Sequence, residues 1–279
     1  MPVSSIYFIT DSTAYLEESY IAANPVRVVP LSVHYDGKME KEGLPGTFEP
    51  FFTSLRNSDT FPTTSQPSAG EFLEVYRELL AQDHDIIVLT ISSGISGTYH
   101  SASTAVEMSD APDRISVIDS QTTAGNLKAL VQMGIRMASE GKSRDEIVAE
   151  LEKQKNNSGV RLTVETLDYL KKGGRLSNAG AFIGTLLNIK PVLGLINGTV
   201  QPVGKARGKK KALARMVAAV PNGTFLVHVA HVMSADEAGV LRELLEAQLP
   251  QAEIILSELG PVIGAHLGPG AMGILYLYR

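Results

Sequence analysis

The chain has 279 residues, of which 44% are hydrophobic and 20% charged, a balance typical of a globular protein with a substantial core. A formal net charge of −5 argues against general nucleic-acid binding, because a phosphate backbone calls for a basic face. The absence of cysteine excludes disulfide frameworks and thiolate zinc sites. We find no secretory signal and no apolar run of roughly 18 residues, so we expect a soluble cytoplasmic protein without a membrane span.

Strands and helices alternate in the first half of the chain. Short apolar or β-rich runs predict strands at residues 6–10, 26–35, 85–92 and 114–120. Helical spacing and capping boxes predict helices at 72–80, from the turn at 93–97 to about 108, at 124–140, and from 143 to about 155. This order implies an α/β domain whose mostly parallel sheet is covered by helices.

The order becomes less regular after the polar segment 156–159. We take this segment as the boundary between an N-terminal domain, 1–157, and a C-terminal domain, 158–279. Strands are predicted at 160–165, 191–196, 200–203, 224–232, 253–258 and 272–278. Helical turns are predicted at 167–172, 179–187 and 209–220, and a third capping box at 234–237. Hairpins mixed with helices predict an α+β domain with a mixed or antiparallel sheet.

Two glycine-rich segments resemble nucleotide-binding motifs but lack the required context. Residues 268–273 match G-x-G-x-x-G, yet only six strand-like residues follow, where a dinucleotide site needs a helix. Residues 198–205 fail the P-loop spacing, and Ala206 stands where Ser or Thr is required. His228 and His231 have odd spacing on a predicted strand, so they face opposite ways and cannot share a metal. We therefore expect neither a nucleotide nor a metal cofactor.

Hydroxyl-rich loops follow three of the predicted parallel strands, at residues 11–13, 92–98 and 119–123. Ligands of such sheets bind at the carboxyl ends of the strands, so these loops indicate one binding site. A fourth polar segment, 63–68, leads into a helix N-terminus, which together with its hydroxyls suits a carboxylate or phosphate. Ordinary polar surface loops remain the alternative interpretation.

Basic residues and one histidine add candidates for anion binding. Residues 171–175 are Lys-Lys-Gly-Gly-Arg, which a glycine-capped helix end would also explain. The basic run 205–211 extends into a helix N-terminus, where cations are disfavoured and an anionic partner would justify them. His266 lies among small residues at 264–270, where a ligand can approach closely, although an ordinary loop histidine is an equal alternative.

A hydrolase is the main alternative function. Residues 94–98 lie on a predicted strand–turn–helix, the context of a nucleophile elbow, but Thr98 stands where that motif needs glycine. A lipid or ester hydrolase using Ser96 or Ser93 with His266 therefore stays open. A lipid storage or regulatory protein is a second alternative.

The ordered set of these segments resembles the DegV family over essentially the whole chain. Each motif is weak alone, but their order is specific, and a departure such as Ile95, where leucine is common, is minor. The matching segments are 11–14, 64–68, 92–99, 119–120, 170–177, 188–191, 205–208 and 266–270.

The resemblance implies that a long-chain fatty acid is buried between the two domains. Its carboxylate would be held by Thr64, Ser93 and His266, with Ser65 and Ser96 as near neighbours. A carboxylate removed from water needs several hydrogen bonds, and the acyl chain needs an apolar tunnel. The small helix predicted at 179–187 is a candidate wall of that tunnel.

The resemblance further implies a carrier without catalytic residues of its own. A separate ATP-dependent fatty acid kinase would convert the bound carboxylate to an acyl phosphate. Arg175 and Arg207 match the family positions that support recognition of the kinase or of the phosphorylated product. We expect the loss of either arginine to lower acyl-phosphate production while fatty-acid binding persists.

Overall fold

The computed structural model describes residues 5–56, 60–176 and 189–279. Its strands, in chain order, are β1 (Ile6–Asp11), β2 (Val26–Val29), β3 (Ser32–Tyr35), β4 (Lys38–Lys41), β5 (Thr63–Ser65), β6 (Asp85–Thr90), β7 (Ile115–Asp119), β8 (Ser158–Thr163), β9 (Ile189–Ile196), β10 (Thr199–Arg207), β11 (Thr224–His231), β12 (Glu253–Glu258) and β13 (Met272–Tyr278). Its helices are α1 (Glu18–Ala23), α2 (Glu49–Arg56), α3 (Ala69–Ala81), α4 (Thr98–Glu107), α5 (Ala124–Ser139), α6 (Arg144–Asn156), α7 (Asp168–Lys172), α8 (Lys209–Ala218), α9 (Ala235–Gln248) and α10 (Pro261–Leu267), with 3-10 turns at Ser12–Ala14 and Pro112–Arg114.

A four-stranded parallel sheet in the order β2-β1-β6-β7 forms the centre of the N-terminal half. Its side chains alternate between two cores, because successive residues of a strand point to opposite faces. Phe8 packs with residues of α5 and α6, whereas Ile9 packs with residues of α3 and α4. Helices therefore cover both faces, which confirms the predicted α/β arrangement.

A separate three-stranded antiparallel sheet, in the order β4-β3-β5, lies beside the parallel sheet. The single β-rich stretch predicted at 26–35 is in fact two strands that belong to different sheets, β2 and β3. Pro30 stands between them, and because proline lacks a backbone N–H it interrupts a continuous ladder. The polar segment before α3 contributes the short strand β5, where we predicted only a loop.

The C-terminal half contains a six-stranded sheet in the order β10-β9-β8-β13-β11-β12. β11 and β12 run parallel, and the other neighbouring pairs are antiparallel, which confirms the predicted mixed sheet. Asn197 and Gly198 both have positive φ and connect β9 to β10, as the predicted Asn-Gly hairpin requires.

The two faces of this six-stranded sheet have different neighbours. The outer face packs on α8 and α9 through residues such as Val229 and Ile274. The inner face, with Val160, Leu162 and Leu275, belongs to a core shared with residues of the N-terminal half. The change from the first sheets to this sheet falls between α6 and β8, so it coincides with the segment 156–159. The division into two domains at 157/158 stays a prediction.

Helix starts follow their capping sequences in two of three cases. Ser68 and Ser143 each form a capping box with the glutamate three residues later. The predicted third box is wrong, because the hydroxyl of Ser234 donates to the carbonyl of Val232 instead of accepting from the helix. The small helix predicted at 179–187 lies outside the described residues.

One close contact joins α5, a helix that covers the parallel sheet, to β11 of the six-stranded sheet. Gly125, in the first turn of α5, lies so near the buried His228 of β11 that a Cβ on Gly125 would be 2.1 Å from the ring's Cγ. No flexible side-chain end is available to move away, because the imidazole is itself buried and hydrogen-bonded to Ser257. The contact therefore requires glycine at position 125.

We predict that Gly125→Ala lowers the free energy of unfolding by about 1–3 kcal/mol, because overpacking forces the two halves apart. Gly239, in the interior of α9, is a matched control because a Cβ there meets no heavy atom within 4 Å. Gly239→Ala should be neutral or stabilising by up to about 1 kcal/mol. Urea denaturation of both variants measures the difference, and equal stabilities would contradict the packing described here.

Candidate functional site

A cavity opens between the inner face of the six-stranded sheet and the N-terminal half. It contains about 840 Å³ of atom-free space, including part of its opening to solvent. Both halves of the chain contribute to it, so neither sheet alone could form it. The lining residues are mostly aliphatic: Leu31, Ile91, Ile95, Ala124, Val160, Leu162, Leu170, Leu195, Val200, Ala230, Leu259, Val262, Ile263, Leu267, Gly273 and Leu275.

Small residues in the sheet widen one part of this wall. Ala230, Gly273 and Leu162 are direct neighbours on three adjacent strands, β11, β13 and β8. Because all three line the cavity, the absence of large side chains at two of them leaves space above the sheet. A Cβ on Gly273 would meet only ordinary contacts, 3.6 Å from Leu275 and 3.8 Å from Ala230. The carbonyl oxygen of Arg161 is also 3.8 Å from that Cβ, so position 273 has room for a methyl group in ordinary contact.

The polar side chains of the lining belong to a limited set, Thr64, Gln66, Ser96, Thr123, Arg175 and His266. Gln66 is exposed, and Thr64, Ser96 and Arg175 are partly exposed, whereas Val160, Leu162, Ala230 and Leu275 of the sheet are buried. The polar part of the cavity therefore reaches solvent, an exposure that it shares with the partly exposed Ile95, Leu195, Ile263 and Leu267. An amphipathic ligand would fit with its polar group near the opening and its apolar part inside.

Thr64 and His266 are in direct contact, although 202 positions separate them in sequence. The Oγ1 atom of Thr64 lies 2.7 Å from Nε2 of His266. Thr64 comes from β5, and His266 comes from the last turn of α10, which packs on β3 and β5. No helix was predicted at 261–267, and a loop histidine was one of two interpretations of His266, so the helix is a finding of the structure. Pro261 at its first position is the signal that indicates it.

Burial sets the protonation state of His266. Desolvation first, and then the positive charge of Arg175, lower the pKa of His266 to about 4, so the imidazole is neutral at pH 7. Its Nδ1 atom is buried without a hydrogen-bond partner among the described residues. Gly173 makes room for this atom, since a Cβ there would lie 2.2 Å from Nδ1. The Gly-Gly pair after α7 therefore accommodates the histidine in addition to ending the helix.

Arg175 brings a positive charge to the cavity. Its Nε donates to the carbonyl of Ile95 at 3.2 Å, and its Nη1 donates to the carbonyl of Gly173 at 2.6 Å. No aspartate or glutamate of the described residues forms an ion pair with it. The structure thus holds an uncompensated cation beside Thr64 and His266, which favours an anion at this end of the cavity.

The predicted serines have separate positions. Ser96 lines the cavity, and its hydroxyl lies 2.9 Å from that of Thr98. Ser93 is not among the lining residues; its hydroxyl donates to the carboxylate of Asp119 at 2.5 Å. Ser65 contacts Nε2 of His34 at 2.9 Å, on the side of β5 opposite to Thr64. Thr64, Ser96 and His266 therefore line the cavity, whereas the hydroxyls of Ser93 and Ser65 contact Asp119 and His34.

Glycines in the loop after β6 serve chain packing. A Cβ on Gly94 would be 2.5 Å from the carbonyl oxygen of Gly198, in the β9–β10 hairpin. A Cβ on Gly97 would be 2.3 Å from Nε2 of Gln66. The two glycines therefore let the C-terminal hairpin and Gln66 approach the loop, which brings both halves of the cavity together.

Gln66 and Thr123 line the cavity but were not predicted as site residues, although both belong to polar segments predicted to bind a ligand. The hydroxyl of Thr123 is buried in the cavity wall without a partner among the described residues. Ala124 follows with a φ of +49°, an unfavourable conformation for alanine that commonly marks functional loops. The polar turn before α5 was the feature of the sequence that could have identified Thr123 as a site residue.

Arg207 and the basic run lie apart from the cavity lining. Arg207 is exposed at the end of β10, together with Lys205, Lys210 and Lys211. Lys209 is different, because Glu165 and Glu237 form ion pairs with it. Lys209 therefore needs no external anion, contrary to our prediction for the basic run, because its counter-charges belong to the chain itself.

Two classes of site find no support in the part of the chain that the structure describes. We find no group of three His, Asp or Glu side chains placed to hold a metal ion among residues 5–56, 60–176 and 189–279. In the same ranges, no helix combines the length and apolarity needed to cross a bilayer.

Comparison with known proteins agrees with this architecture. The family model described as "Uncharacterised protein, DegV family" matches residues 5–279. A DegV domain-containing protein of Listeria innocua is 35% identical over 277 residues, covering 97% of this chain and 98% of that protein.

Solved structures extend the similarity to three dimensions. A DegV family protein from Thermus thermophilus, described for its fatty acid binding, is 36% identical with a TM-score of 0.90, over 99% of this chain and 100% of the other. DegV of Bacillus subtilis, described as a fatty acid binding protein, is 33% identical with a TM-score of 0.87, over the same shares of the two chains. With matches over nearly its whole length, this chain belongs to the DegV family.

Proposed function

We propose that this protein binds a long-chain fatty acid, with the acyl chain in the apolar cavity and the carboxylate at its polar opening. One observation carries the proposal: the same cavity joins an aliphatic interior to a polar end that contains Thr64, Ser96, His266 and Arg175, a cation without an ion pair among the described residues. The fatty acid binding described for the Thermus thermophilus and Bacillus subtilis relatives supports it.

The polar end matches the needs of a carboxylate. An ionised carboxylate that leaves water requires charge and several hydrogen bonds, and charge-assisted bonds are roughly twice as strong as neutral ones. Arg175 supplies the charge, and the hydroxyls of Thr64 and Ser96 supply donors. The neutral His266 accepts or donates at Nε2, depending on its tautomer. In this proposal the hydroxyls of Ser93 and Ser65 do not contact the ligand, because they contact Asp119 and His34.

The apolar interior provides most of the binding free energy. Each buried methylene contributes about 0.8 kcal/mol, so about ten methylenes contribute roughly 8 kcal/mol before the cost of association. The small residues Ala230 and Gly273 leave room for the chain along the sheet. Mass spectrometry of ligand released from protein purified without added lipid is the direct test, and a protein that carries no acyl chain and binds none would contradict the proposal.

We further propose that the protein presents its fatty acid to a separate ATP-dependent fatty acid kinase. The carboxylate lies at the solvent-facing end of the cavity in our proposal, so a partner could reach it while the acyl chain stays buried. The exposed cations Lys205, Arg207, Lys210 and Lys211 form a basic surface that suits an acidic partner or the added phosphate.

We predict that Thr64→Val weakens fatty-acid binding by about tenfold, because valine keeps the shape of threonine and removes its hydroxyl. Ser65→Ala is the matched control, since its hydroxyl contacts His34 and should change the affinity by less than about twofold. Displacement of a fluorescent fatty acid by hexadecanoate measures both variants. An equal effect of the two substitutions would show that Thr64 has no special role.

We expect substitutions of Arg175 and Arg207 to have different effects on fatty-acid binding. Arg175→Ala should weaken fatty-acid binding, since the variant removes the cavity's cation, whereas Arg207→Ala should leave binding unchanged. With a bacterial fatty acid kinase, ATP and magnesium, Arg207→Ala should still lower the acyl-phosphate yield by about tenfold or more. Full activity of Arg207→Ala would contradict a role in presentation, and a wild-type protein that yields no acyl phosphate would favour storage or regulation.

The hydrolase alternative has a separate test. Ser93, Ser96 and His266 have different hydrogen-bond partners in the structure, namely Asp119, Thr98 and Thr64. A serine nucleophile instead needs a base within hydrogen-bond reach, although that contact can be longer without substrate. We therefore predict no stoichiometric labelling by a fluorophosphonate, measured by intact-protein mass spectrometry. Labelling of Ser93 or Ser96 would favour the hydrolase.

A further inference from the structure

A buried carboxylate outside the cavity lining has no place in the proposed binding chemistry. Glu42 follows β4 and is 6% exposed. No basic side chain of the described residues forms an ion pair with it. Burial of such a group is costly unless hydrogen bonds compensate, so the partners of Glu42 indicate what it does.

Glu42 joins the N-terminal sheet to the first turn of α10. Its Oε2 accepts a hydrogen bond from the hydroxyl of Ser12 at 2.6 Å, and its Oε1 accepts one from the amide of Val262 at 2.8 Å. Gly260 makes this close contact possible, because a Cβ there would lie 2.6 Å from Oε1. Gly260 itself offers no side-chain cap to α10, so Glu42 satisfies an amide of the first turn from elsewhere in the chain.

The same small sheet holds both ends of α10. Glu42 follows β4 and contacts the first turn, whereas Thr64 of β5 contacts His266 in the last turn. β4 and β5 both pair with β3, in the register that places Ser32 opposite both Lys41 and Ser65. A helix of only seven residues that is fixed at both ends has a defined position.

We propose that Glu42 is a positioning residue that fixes α10, so that His266 stays against Thr64 and the polar end of the cavity is formed before a ligand binds. The consequence for ligand affinity rests on the proposed fatty-acid binding. The structural part, the attachment of α10 through Glu42, is independent of any ligand. Val262, Ile263 and Leu267 of α10 also line the cavity, so the position of this helix affects the apolar wall as well.

The environment of Glu42 gives the proposal a pH-dependent signature. Two titratable groups face Glu42: Asp11, at the end of β1, and Tyr15, after the turn that follows β1. Leu31, which precedes β3, and the residues at the start of α10 also face Glu42 but have no titratable side chain. Burial first, and the charge of Asp11 as a lesser cause, raise the pKa of Glu42 from 4.5 to about 7. The folded state therefore holds this proton more tightly than the unfolded state, so Glu42 reduces stability as pH rises from about 4.5 to about 7.

Two variants at position 42 and one control test the role. Glu42→Ala removes both hydrogen bonds, whereas Glu42→Gln keeps a carbonyl oxygen for the amide of Val262. Glu40→Ala, in the exposed strand β4, is the matched control. Hydrogen–deuterium exchange of the peptide that contains residues 261–267 is measured on ligand-free protein, and hexadecanoate affinity is measured by displacement of a fluorescent fatty acid.

We expect Glu42→Ala to speed exchange in 261–267 and to weaken binding by about tenfold, with Glu42→Gln and Glu40→Ala within about threefold of the wild type. The melting temperature of Glu42→Gln relative to the wild type should rise between about pH 5 and pH 7, since only the wild type titrates at this position. A constant difference across that range would contradict the burial of Glu42 without an ion pair among the described residues.

Other outcomes overturn the proposal clearly. If Glu42→Ala lowers the melting temperature but leaves exchange in 261–267 and the affinity of the folded protein unchanged, Glu42 only stabilises the fold. If the wild type binds no fatty acid, the proposed function fails, while the exchange measurement on ligand-free protein still decides whether Glu42 positions α10.

Discussion

The hydrogen bond between Thr64 and His266 connects the parts of the molecule on which the cavity depends. Thr64 belongs to a short strand of the small antiparallel sheet, and His266 belongs to a short helix near the end of the chain. This contact forms part of the polar end of the cavity, and the six-stranded sheet forms another of its walls. The site is therefore a property of how the elements pack on one another.

Close packing around the histidine has an electrostatic consequence. Gly173 admits the ring so closely that Nδ1 is buried, and Arg175, two residues later, adds a positive charge nearby. Both effects favour neutral imidazole, which leaves Arg175 as the fixed charge of the polar end. Among the described residues, an apolar cavity with one fixed cation at its polar end suits a ligand that is anionic at one end and apolar along its length.

The basic residues divide into three groups by their surroundings. Arg175 is part of the cavity, Lys209 is neutralised by two glutamates, and Arg207 is exposed with no ion pair among the described residues. In sequence, Arg207 and Lys209 are two positions apart and look alike. Only the neighbours that folding supplies distinguish a cation that stabilises the structure from one that is free to meet a partner.

The sequence by itself determined the class of fold and the family. Period-two and helical spacing, capping serines and the Asn-Gly turn are local signals, and they predicted the parallel sheet, the mixed C-terminal sheet, most helices and the β9–β10 hairpin. They did not predict the small antiparallel sheet. The ordered motifs pointed to the correct family and included Thr64, Ser96 and His266, which the structure places in one cavity lining. Local signals missed β5, whose pairing strand β3 is distant in sequence. They were also misread at two local features, the break at Pro30 and the hydroxyl of Ser234, which bonds to the carbonyl of Val232.

Tertiary structure alone decided which polar residues share the cavity and which hold the chain together. Neighbouring residues such as Thr64 and Ser65, or Ser93 and Ser96, have the same chemistry in sequence, yet contact different partners because strand pleating and turns point them apart. Arg175 lines the cavity and contacts Ile95, and the buried Glu42 contacts Val262 of α10. Both contacts join residues that are far apart in the chain. The physical reason is that hydrogen bonding, burial and charge depend on neighbours in space, and spacing along the chain carries no information about those neighbours until the sheets have packed.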